Sequence, residues 1–314
     1  MKSIQEFCSF MSSESGRWIV MIVAIAAATA SADTSAAQLE FQGMRVEVIG
    51  EGRPLLMIPG LNSSAEVWRE TCQALQPQVQ CHILQLPGFA GQPAVHEDHW
   101  LDAMRDRVLG YVDHAKLQHP DLIGHSLGGF LGLELSIKAP DRFAHVIIVD
   151  SLPFLGAARN PAMTAETVRP MADGLRAGMV AADEATYMTQ VRNGVANLSN
   201  RADRIATLAG WGETSDRTTT TQAMYELMTT DLRSLLGAAR TPTLVLGSWA
   251  SYAPYGATQA STQAVFEQQY SAHPDVRIKL SGSGYHFLMW DDPKWLQQQV
   301  REFLALPAVA TMKP

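Results

Sequence analysis

Asp121-Leu-Ile-Gly124-His125-Ser126-Leu127-Gly128-Gly129 is the stretch on which the reading of this chain turns. Leu122 and Ile123 close a short apolar run, Gly124 to Gly128 matches G-x-S-x-G, and Phe130 to Lys138 carries a helical pattern. Strand, sharp turn and helix in succession are what a nucleophile elbow requires. Such a turn strains its serine, so the residues two before and two after must be small, and here they are Gly124 and Gly128. The elbow lifts Ser126 Oγ above the sheet and sets the free N–H groups of a helix N-terminus beside any oxyanion formed there. A bare G-x-S-x-G also arises by chance; the flanking strand and helix, and partners for the serine, carry the reading.

Outward from the elbow, strand and helix patterns alternate. Leu39 to Gly43 and Met44 to Ile49 alternate apolar and polar residues, as half-exposed antiparallel strands do, after a loose linker from Thr34 to Gln38. Leu55 to Ile58 is a continuous apolar run, Ala65 to Leu75 is helical, His82 to Leu86 is a strand, and His99 to Leu117 is a long amphipathic helix. After the elbow, His145 to Val149 is a further buried strand that ends at Asp150. This order predicts an α/β fold: a mostly parallel central sheet flanked by helices.

The alternation breaks between Ser151 and Arg240, which hold about four helical stretches and no strand pattern. It resumes with strands at Thr243–Leu246 and Val276–Leu280, a helix from Gln259 to Tyr270 and a closing amphipathic helix from Pro293 to Leu304. The expected organisation is a core in two parts, 33–150 and 241–314, with residues 151–240 inserted as a helical cap over the serine. Six of the fourteen methionines fall in that insertion: Met163, Met171, Met179, Met188, Met224 and Met228. Methionine suits a surface that adapts to apolar ligands, and equally suits helices packed on one another.

The chain's 314 residues and 46% apolar content suffice for one sizeable α/β domain with an insertion. A net charge of −7 offers no basic surface for nucleic acid or anionic membrane. Residues 1–32 read as a cleaved secretory signal peptide: Arg17, an apolar run from Trp18 to Ala30, then Ala30-Ser31-Ala32 as a cleavage site. The run is short for a membrane span, which favours the signal peptide; an uncleaved anchor is the alternative, and no stable membrane insertion is expected after cleavage. Met11 is an alternative start to Met1, because the leader before Arg17 is long and carries Glu6 and Glu14. Secretion or a periplasmic location follows from this reading. Cleavage removes Cys8 and leaves Cys72 and Cys81, nine residues apart, in a compartment that permits disulfides. They are either a short staple or two independent buried thiols. With only His82 nearby, no metal site is expected, and the chain shows no cofactor motif.

A serine hydroxyl needs a base to take its proton. Ser281-Gly-Ser-Gly284-Tyr285-His286-Phe287 supplies one on a glycine-rich loop after the last strand. His82 and His145 sit in strands as core residues, His125 points off the elbow, and the remaining histidines lie on solvated helices or loops. Asp150 is the candidate acid, at the carboxyl end of the strand after the elbow strand; capping the turn into Ser151-Leu-Pro is its alternative role. Glu267 lies within a helix, Asp275 precedes its strand, and Asp291 and Asp292 are expected to cap the closing helix.

With these pieces in order, the chain resembles the α/β-hydrolase family over roughly Leu39 to Leu306. The matching segments are Ile58-Pro59-Gly60-Leu61, Gln85-Leu86-Pro87-Gly88-Phe89, Gly124 to Gly129, and Gly282 through His286 to Pro293. The resemblance implies Ser126 as nucleophile, His286 as base, and the backbone N–H groups of Leu61 and Leu127 as oxyanion hole. Gln85 stands where the family carries a structural aspartate. The family's usual acid position, in the loop after Gly247, reads Ser248-Trp-Ala-Ser-Tyr-Ala-Pro-Tyr-Gly256 and holds no carboxylate, which turns attention to Asp150.

The activity implied is a secreted serine hydrolase acting on a small-molecule acyl substrate, a carboxylic ester first, without a cofactor. Lactone, peptide and carbon–carbon cleavage stay open within the fold, and a non-catalytic ligand-binding protein is the alternative outside it. Neither substrate identity nor oligomeric state is written in the sequence. N-terminal sequencing of exported material should begin at Asp33; residues before Trp18 in that material would favour the uncleaved anchor.

Overall fold

Alternation within buried strands builds two hydrophobic cores on opposite faces of one sheet. The computed structural model describes residues 37–307, which fall within a unit running from Thr34 to Pro314. The segment read as a signal peptide lies outside the described residues. β1 (Ala37–Phe41) and β2 (Met44–Ile49) pair antiparallel, and β2 continues antiparallel onto the sheet. β3 (Arg53–Ile58), β4 (Val79–Gln85), β5 (Asp121–His125), β6 (Val146–Val149), β7 (Thr243–Gly247) and β8 (Val276–Leu280) run parallel. The order across the sheet is β1-β2-β4-β3-β5-β6-β7-β8.

Leu56, Ile58, Leu122, Val146, Ile148 and Val245 face one core; Leu55, Met57, Ile123, Ile147, Leu244 and Leu246 face the other. The period of two within each strand assigns successive residues to opposite faces. The first core is covered by α2 (Trp100–His114), α3 (Leu127–Lys138) and the end of α8 (Gln259–Gln269); the second by α1 (Arg69–Leu75) and α10 (Pro293–Phe303). A short α9 (Leu288–Asp291) precedes α10. Between β6 and β7 the regular elements are all helical: α4 (Ala165–Ala181), α5 (Glu184–Val195), α6 (Ala202–Glu213) and α7 (Arg217–Thr229), with 3-10 turns at either end. Among the described residues, no helix is long and apolar enough to cross a membrane.

Some boundaries shift for tertiary reasons. β4 begins at Val79 rather than His82, because parallel pairing with β3 recruits Val79 opposite Arg53. β1 begins at Ala37, inside the expected linker, because Ala37 pairs with Val48. The helix expected from Ala65 starts as a 3-10 turn, Ala65–Trp68, capped by Ser64. The structure bridges Cys72 on α1 to Cys81 on β4, Cα atoms 6.1 Å apart. In chain-entropy terms so short a loop adds about 2.5 kcal/mol of stability.

β4 lies on one side of β3 and β5 on the other, so the chain reverses its direction across the sheet there. In doubly wound sheets, ligands bind in the crevice outside the carboxyl ends of strands at such a reversal. The loops that open from those ends carry Gly60-Leu61 and Ser126.

One buried acid weakens the core as pH rises. Glu134 on α3 is 7% exposed and its Oε2 has no hydrogen-bond partner. Burial pushes its carboxyl from 4.5 up to about 7, against the attraction of Arg105. The folded state therefore holds a proton there that the unfolded chain releases, and stability falls as pH climbs from 4.5 through 7. Glu134→Gln should remove this loss, stabilising the protein at pH 8 by up to about 3 kcal/mol and little at pH 4. Denaturant melts at the two pH values check it; equal shifts at both would contradict it.

Candidate active site

Ser126 sits at the tip of the turn between β5 and α3 with φ 52° and ψ −117°, a left-handed conformation costly for a residue with a Cβ. Three glycines make room for it. A methyl group at Gly124 would collide with the Gly128 carbonyl, and one at Gly128 with the Ile58 carbonyl. A Cβ on Gly60 would come within 3.2 Å of Ser126 Cβ and 2.9 Å of His125 Nδ1. The turn is held by Ser126 N–H donating to Val149 O at 2.9 Å and by Phe130 N–H donating to Ser126 O at 2.9 Å. Ser126 and His286 keep partial solvent access while Gly124, His125 and Leu127 around them are buried.

Asp150 and His286, 136 residues apart, meet: the Nδ1–H of His286 donates to Asp150 Oδ2 at 2.7 Å. The carboxylate is fixed before the histidine reaches it. Asp150 adopts φ 48° at the end of β6, and its N–H donates to Leu246 O at 2.7 Å. Ser248 then supplies two donors, its N–H to Oδ1 at 2.7 Å and its hydroxyl to Oδ2 at 2.9 Å. The loop after β7 that lacks a carboxylate thus holds the one that β6 contributes. Asp150 is 8% exposed and His286 19% at the side chain, so the pair is screened from bulk water.

With Nδ1 committed to Asp150, His286 Nε2 is the nitrogen left for the serine. Among the described residues, Ser126 Oγ makes no hydrogen bond, and serine–histidine contacts often tighten only with substrate. The N–H groups of Leu61 and Leu127 also have no acceptor within the described protein. Leu127 opens α3, where the first turn's donors lack intrahelical partners.

His125 proves to be more than a residue turned off the elbow. It is fully buried, and its Nε2 lies 3.0 Å from the carbonyl of His286, which can only accept, so Nε2 carries the proton. Its ring lies 4.6 Å from that of His286 and 4.5 Å from that of Phe287. Burial, with His286 as a second influence, holds its pKa well below the ordinary value, so it stays neutral and donates. Asp291 and Asp292 also differ from expectation: neither side chain caps α10. Asp291 accepts from Tyr285 N, Ser199 Oγ and Asn200 N, and Asp292 from Ser281 Oγ at 2.7 Å. The bend of the glycine-rich loop leaves buried donors that these carboxylates satisfy. Gln85 fills a structural role, accepting from Ala65 N and donating to Phe89 O. His82 is a core residue, bonded to the Tyr111 hydroxyl at 2.7 Å; His145, expected as a core residue in a strand, instead precedes β6, is 29% exposed at the side chain and lies against Asp121 at 2.9 Å.

A cavity of about 520 Å³ opens beside these loops, lined by Leu61, Asn62 and Phe287 and by residues of α4, α5, α6 and α7. Met179 and Met224 line it, whereas Met163 and Met228 pack on Phe154 and Met171 stands 56% exposed. Met179 and Met224 thus line the cavity, Met163 and Met228 pack against other residues, and Met171 does neither. A second cavity, of about 560 Å³, is bordered by His96, Glu97, Arg176 and Arg217; neither cavity is lined by Ser126 or His286, and the first reaches the catalytic loops through Leu61 and Phe287.

The alpha/beta hydrolase family model matches residues 55–298, from β3 into α10. The chain belongs to the alpha/beta hydrolase family. A pimeloyl-[acyl-carrier protein] methyl ester esterase from Vibrio campbellii is 30% identical over 110 residues, 35% of this chain and 41% of that protein. A human (lyso)-N-acylphosphatidylethanolamine lipase is 32% identical over 114 residues, 34% of this chain and 33% of its own length. The chain thus aligns with well under half of these curated relatives. An esterase from Exiguobacterium antarcticum shares the fold, with a TM-score of 0.72 at 14% identity over 86% of this chain and 100% of the other. For an alpha/beta hydrolase the eight-stranded, mostly parallel sheet and flanking helices are the expected frame, and the elbow turn occupies its centre.

Ser248 gives the site its most local test. Ser248→Ala removes the hydroxyl donor to Asp150 but keeps the backbone N–H, so kcat/KM for an ester should fall about 10- to 100-fold, the worth of one hydrogen bond to a charged group. Unchanged kcat/KM would mean that the hydroxyl does not hold the carboxylate.

Proposed function

We propose that this hydrolase cleaves carboxylic esters through an acyl-enzyme on Ser126. The observation that carries the proposal is the 2.7 Å contact between His286 Nδ1 and an Asp150 carboxylate already fixed by Ser248, on the same edge of the sheet as the strained serine.

Ser126 Oγ attacks the ester carbonyl carbon while His286 Nε2 takes the hydroxyl proton. Asp150 keeps Nδ1 protonated and stabilises the imidazolium that forms. The carbonyl oxygen gains the electron pair and is met by the N–H groups of Leu61 and Leu127, which have no other acceptor. The tetrahedral intermediate collapses, the C–O bond to the alcohol breaks, and His286 returns its proton to the departing oxygen. Water then enters, His286 removes its proton, and the acid leaves with Ser126 restored. His125 supports this indirectly, by gripping the His286 carbonyl. Residues 151–240 serve as the cap that borders the substrate cavity.

An ester is favoured because an alkoxide leaves more readily than an amide nitrogen and no amine-binding group is legible near Ser126. The relatives named for methyl ester and lipid hydrolysis support an acyl substrate, each over about a third of this chain. Export is part of the same proposal and rests on the Arg17, apolar run and Ala30-Ser31-Ala32 pattern.

Turnover of p-nitrophenyl acetate tests the chemistry. Ser126→Ala should lower kcat by about 10⁴-fold or more, and Asp150→Asn by roughly 10³- to 10⁴-fold, with melting curves unchanged. Near-parental rates in the serine variant would end the serine-hydrolase reading and favour a ligand-binding protein of the same fold.

A further inference from the structure

His286 sits on a segment, Ser281 to Phe287, that is neither strand nor helix: β8 ends at Leu280 and α9 starts at Leu288. Fixing such a segment in one conformation costs backbone entropy at every residue. With no ladder of its own, it takes its place from the contacts that other segments make with it.

Three successive backbone groups around His286 are each held by a different segment. Tyr285 N–H donates to Asp291 Oδ2 at 3.1 Å, His286 O accepts from His125 Nε2 at 3.0 Å, and Phe287 N–H donates to Leu198 O at 3.1 Å. His125 belongs to the elbow. Leu198 belongs to the connection between α5 and α6, inside the helical insertion. Asp291 is tied to the same connection. Its Oδ1 accepts from Ser199 Oγ at 2.6 Å and its Oδ2 from Asn200 N–H at 3.2 Å, while Asn200 Nδ2 donates to Ser283 O at 3.4 Å. The peptide N–H groups on either side of His286 therefore both lead, directly or through Asp291, to residues 198–200.

The packing around this junction holds it in place. Ser199 is 2% exposed, and its oxygen also accepts from Arg201 N–H at 3.2 Å. Arg204, in the first turn of α6, stacks on the Trp290 ring at 4.6 Å and pairs with Glu70 on α1. Trp211, near the other end of α6, lies 5.5 Å from the Trp290 ring, which stacks on Phe287 at 5.3 Å. Helix α6 thus grips α9 just beyond the base. The Arg192–Glu213 pair also joins α5 to α6, at the surface, and touches none of these groups.

We propose that the α5–α6 connection positions the catalytic base, with Ser199 and Asp291 as the positioning residues that hold His286 against Asp150. The helical insertion then does more than border a cavity, because one of its turns frames the proton relay. Asp291 accepts from three donors, so its removal frees the turn before His286. A displacement of about 1 Å in a reacting group costs on the order of 10²-fold in rate. The negative charge is dispensable here. An asparagine oxygen can accept from Tyr285 and Asn200 N–H while its amide donates to Ser199 Oγ. The proposal rests on the reading of His286 as the base.

Turnover of p-nitrophenyl acetate tests it, since so small an ester reports the chemistry more than contacts with the insertion. Asp291→Ala should lower kcat about 10²-fold and leave KM within about 2-fold of the parent. Ser199→Ala should lower kcat about 10-fold, the low end for a hydrogen bond to a charged group. Asp291→Asn should stay within about 3-fold of the parent. Arg192→Ala, which loosens the same two helices elsewhere, should leave kcat unchanged. A double-mutant cycle separates positioning from a merely structural role. In Asp150→Asn the base has already lost its partner, so adding Asp291→Ala should slow fluorophosphonate labelling of Ser126 by no more than about 3-fold. Proton NMR reads the same contact without turnover. The Nδ1 proton of His286, bonded to a carboxylate, resonates at low field and is assigned by its absence from His286→Ala. It should persist in Arg192→Ala and be broadened or lost in Asp291→Ala.

Unchanged kcat in Asp291→Ala or Ser199→Ala would overturn the proposal, as would an undiminished effect of Asp291→Ala in the Asp150→Asn background. An equal loss in Arg192→Ala would reduce the effect to general loosening of the insertion, and an equal loss in Asp291→Asn would refute the hydrogen-bond account. Ser199→Ala carries the test where Asp291→Ala does not fold. Loss of the proton signal in Asp291→Ala, with no hydrolysis by the unmutated protein, would count against the catalytic reading alone. Hydrolysis by the unmutated protein, with rate and signal intact in Asp291→Ala, would count against the positioning alone.

Discussion

The hydrogen bond from His286 Nδ1 to Asp150 is the contact on which the site depends, because it ties three strand ends to one function. Asp150 closes β6, Ser248 follows β7, and His286 sits on the loop beyond β8. Each partner constrains the next: Leu246 O orients the Asp150 backbone, Ser248 orients its carboxylate, and the carboxylate selects the histidine tautomer. His286 is thus held in one orientation, with Nε2 left without a partner among the described residues, before any substrate arrives. Preorganisation of this kind avoids rearrangement at the moment of reaction.

The other half of the site is strain stored at Ser126. A non-glycine residue at φ 52° costs on the order of 1–3 kcal/mol and persists only when its surroundings over-determine it. Here the surroundings are Gly124 and Gly128, which admit neighbouring carbonyls, and Gly60, which lets the loop after β3 press against the serine and His125. The parallel register that sets Ile58 beside Gly124 brings that loop to the elbow. His125 joins the two halves: it flanks the serine in sequence and holds the carbonyl of His286 in space.

Much of this was legible in the sequence. Continuous apolar runs such as Leu55–Ile58 and Val146–Val149 announce strands buried on both faces, and both lie in the central sheet. The elbow motif and the glycine-rich histidine loop are local patterns, so Ser126 and His286 stand out. Asp150 emerged only because the loop after β7 lacks a carboxylate. What could not be read depends on contacts between distant segments. Nothing around Ser248 marks it as the clamp on Asp150, and Asp291 looks like a helix cap until the loop of Tyr285 and the stretch of Ser199 are seen to converge on it. His125 looks idle because its partner is 161 residues away.

Labelling with a fluorophosphonate probe measures the central claim most directly, since only a serine activated by an oriented base reacts quickly. The account predicts one adduct per chain, mapped by peptide mass spectrometry to Ser126, with the labelling rate lowered by orders of magnitude in Asp150→Asn. An adduct on another residue, or a rate in Asp150→Asn equal to that of the parent, would contradict it.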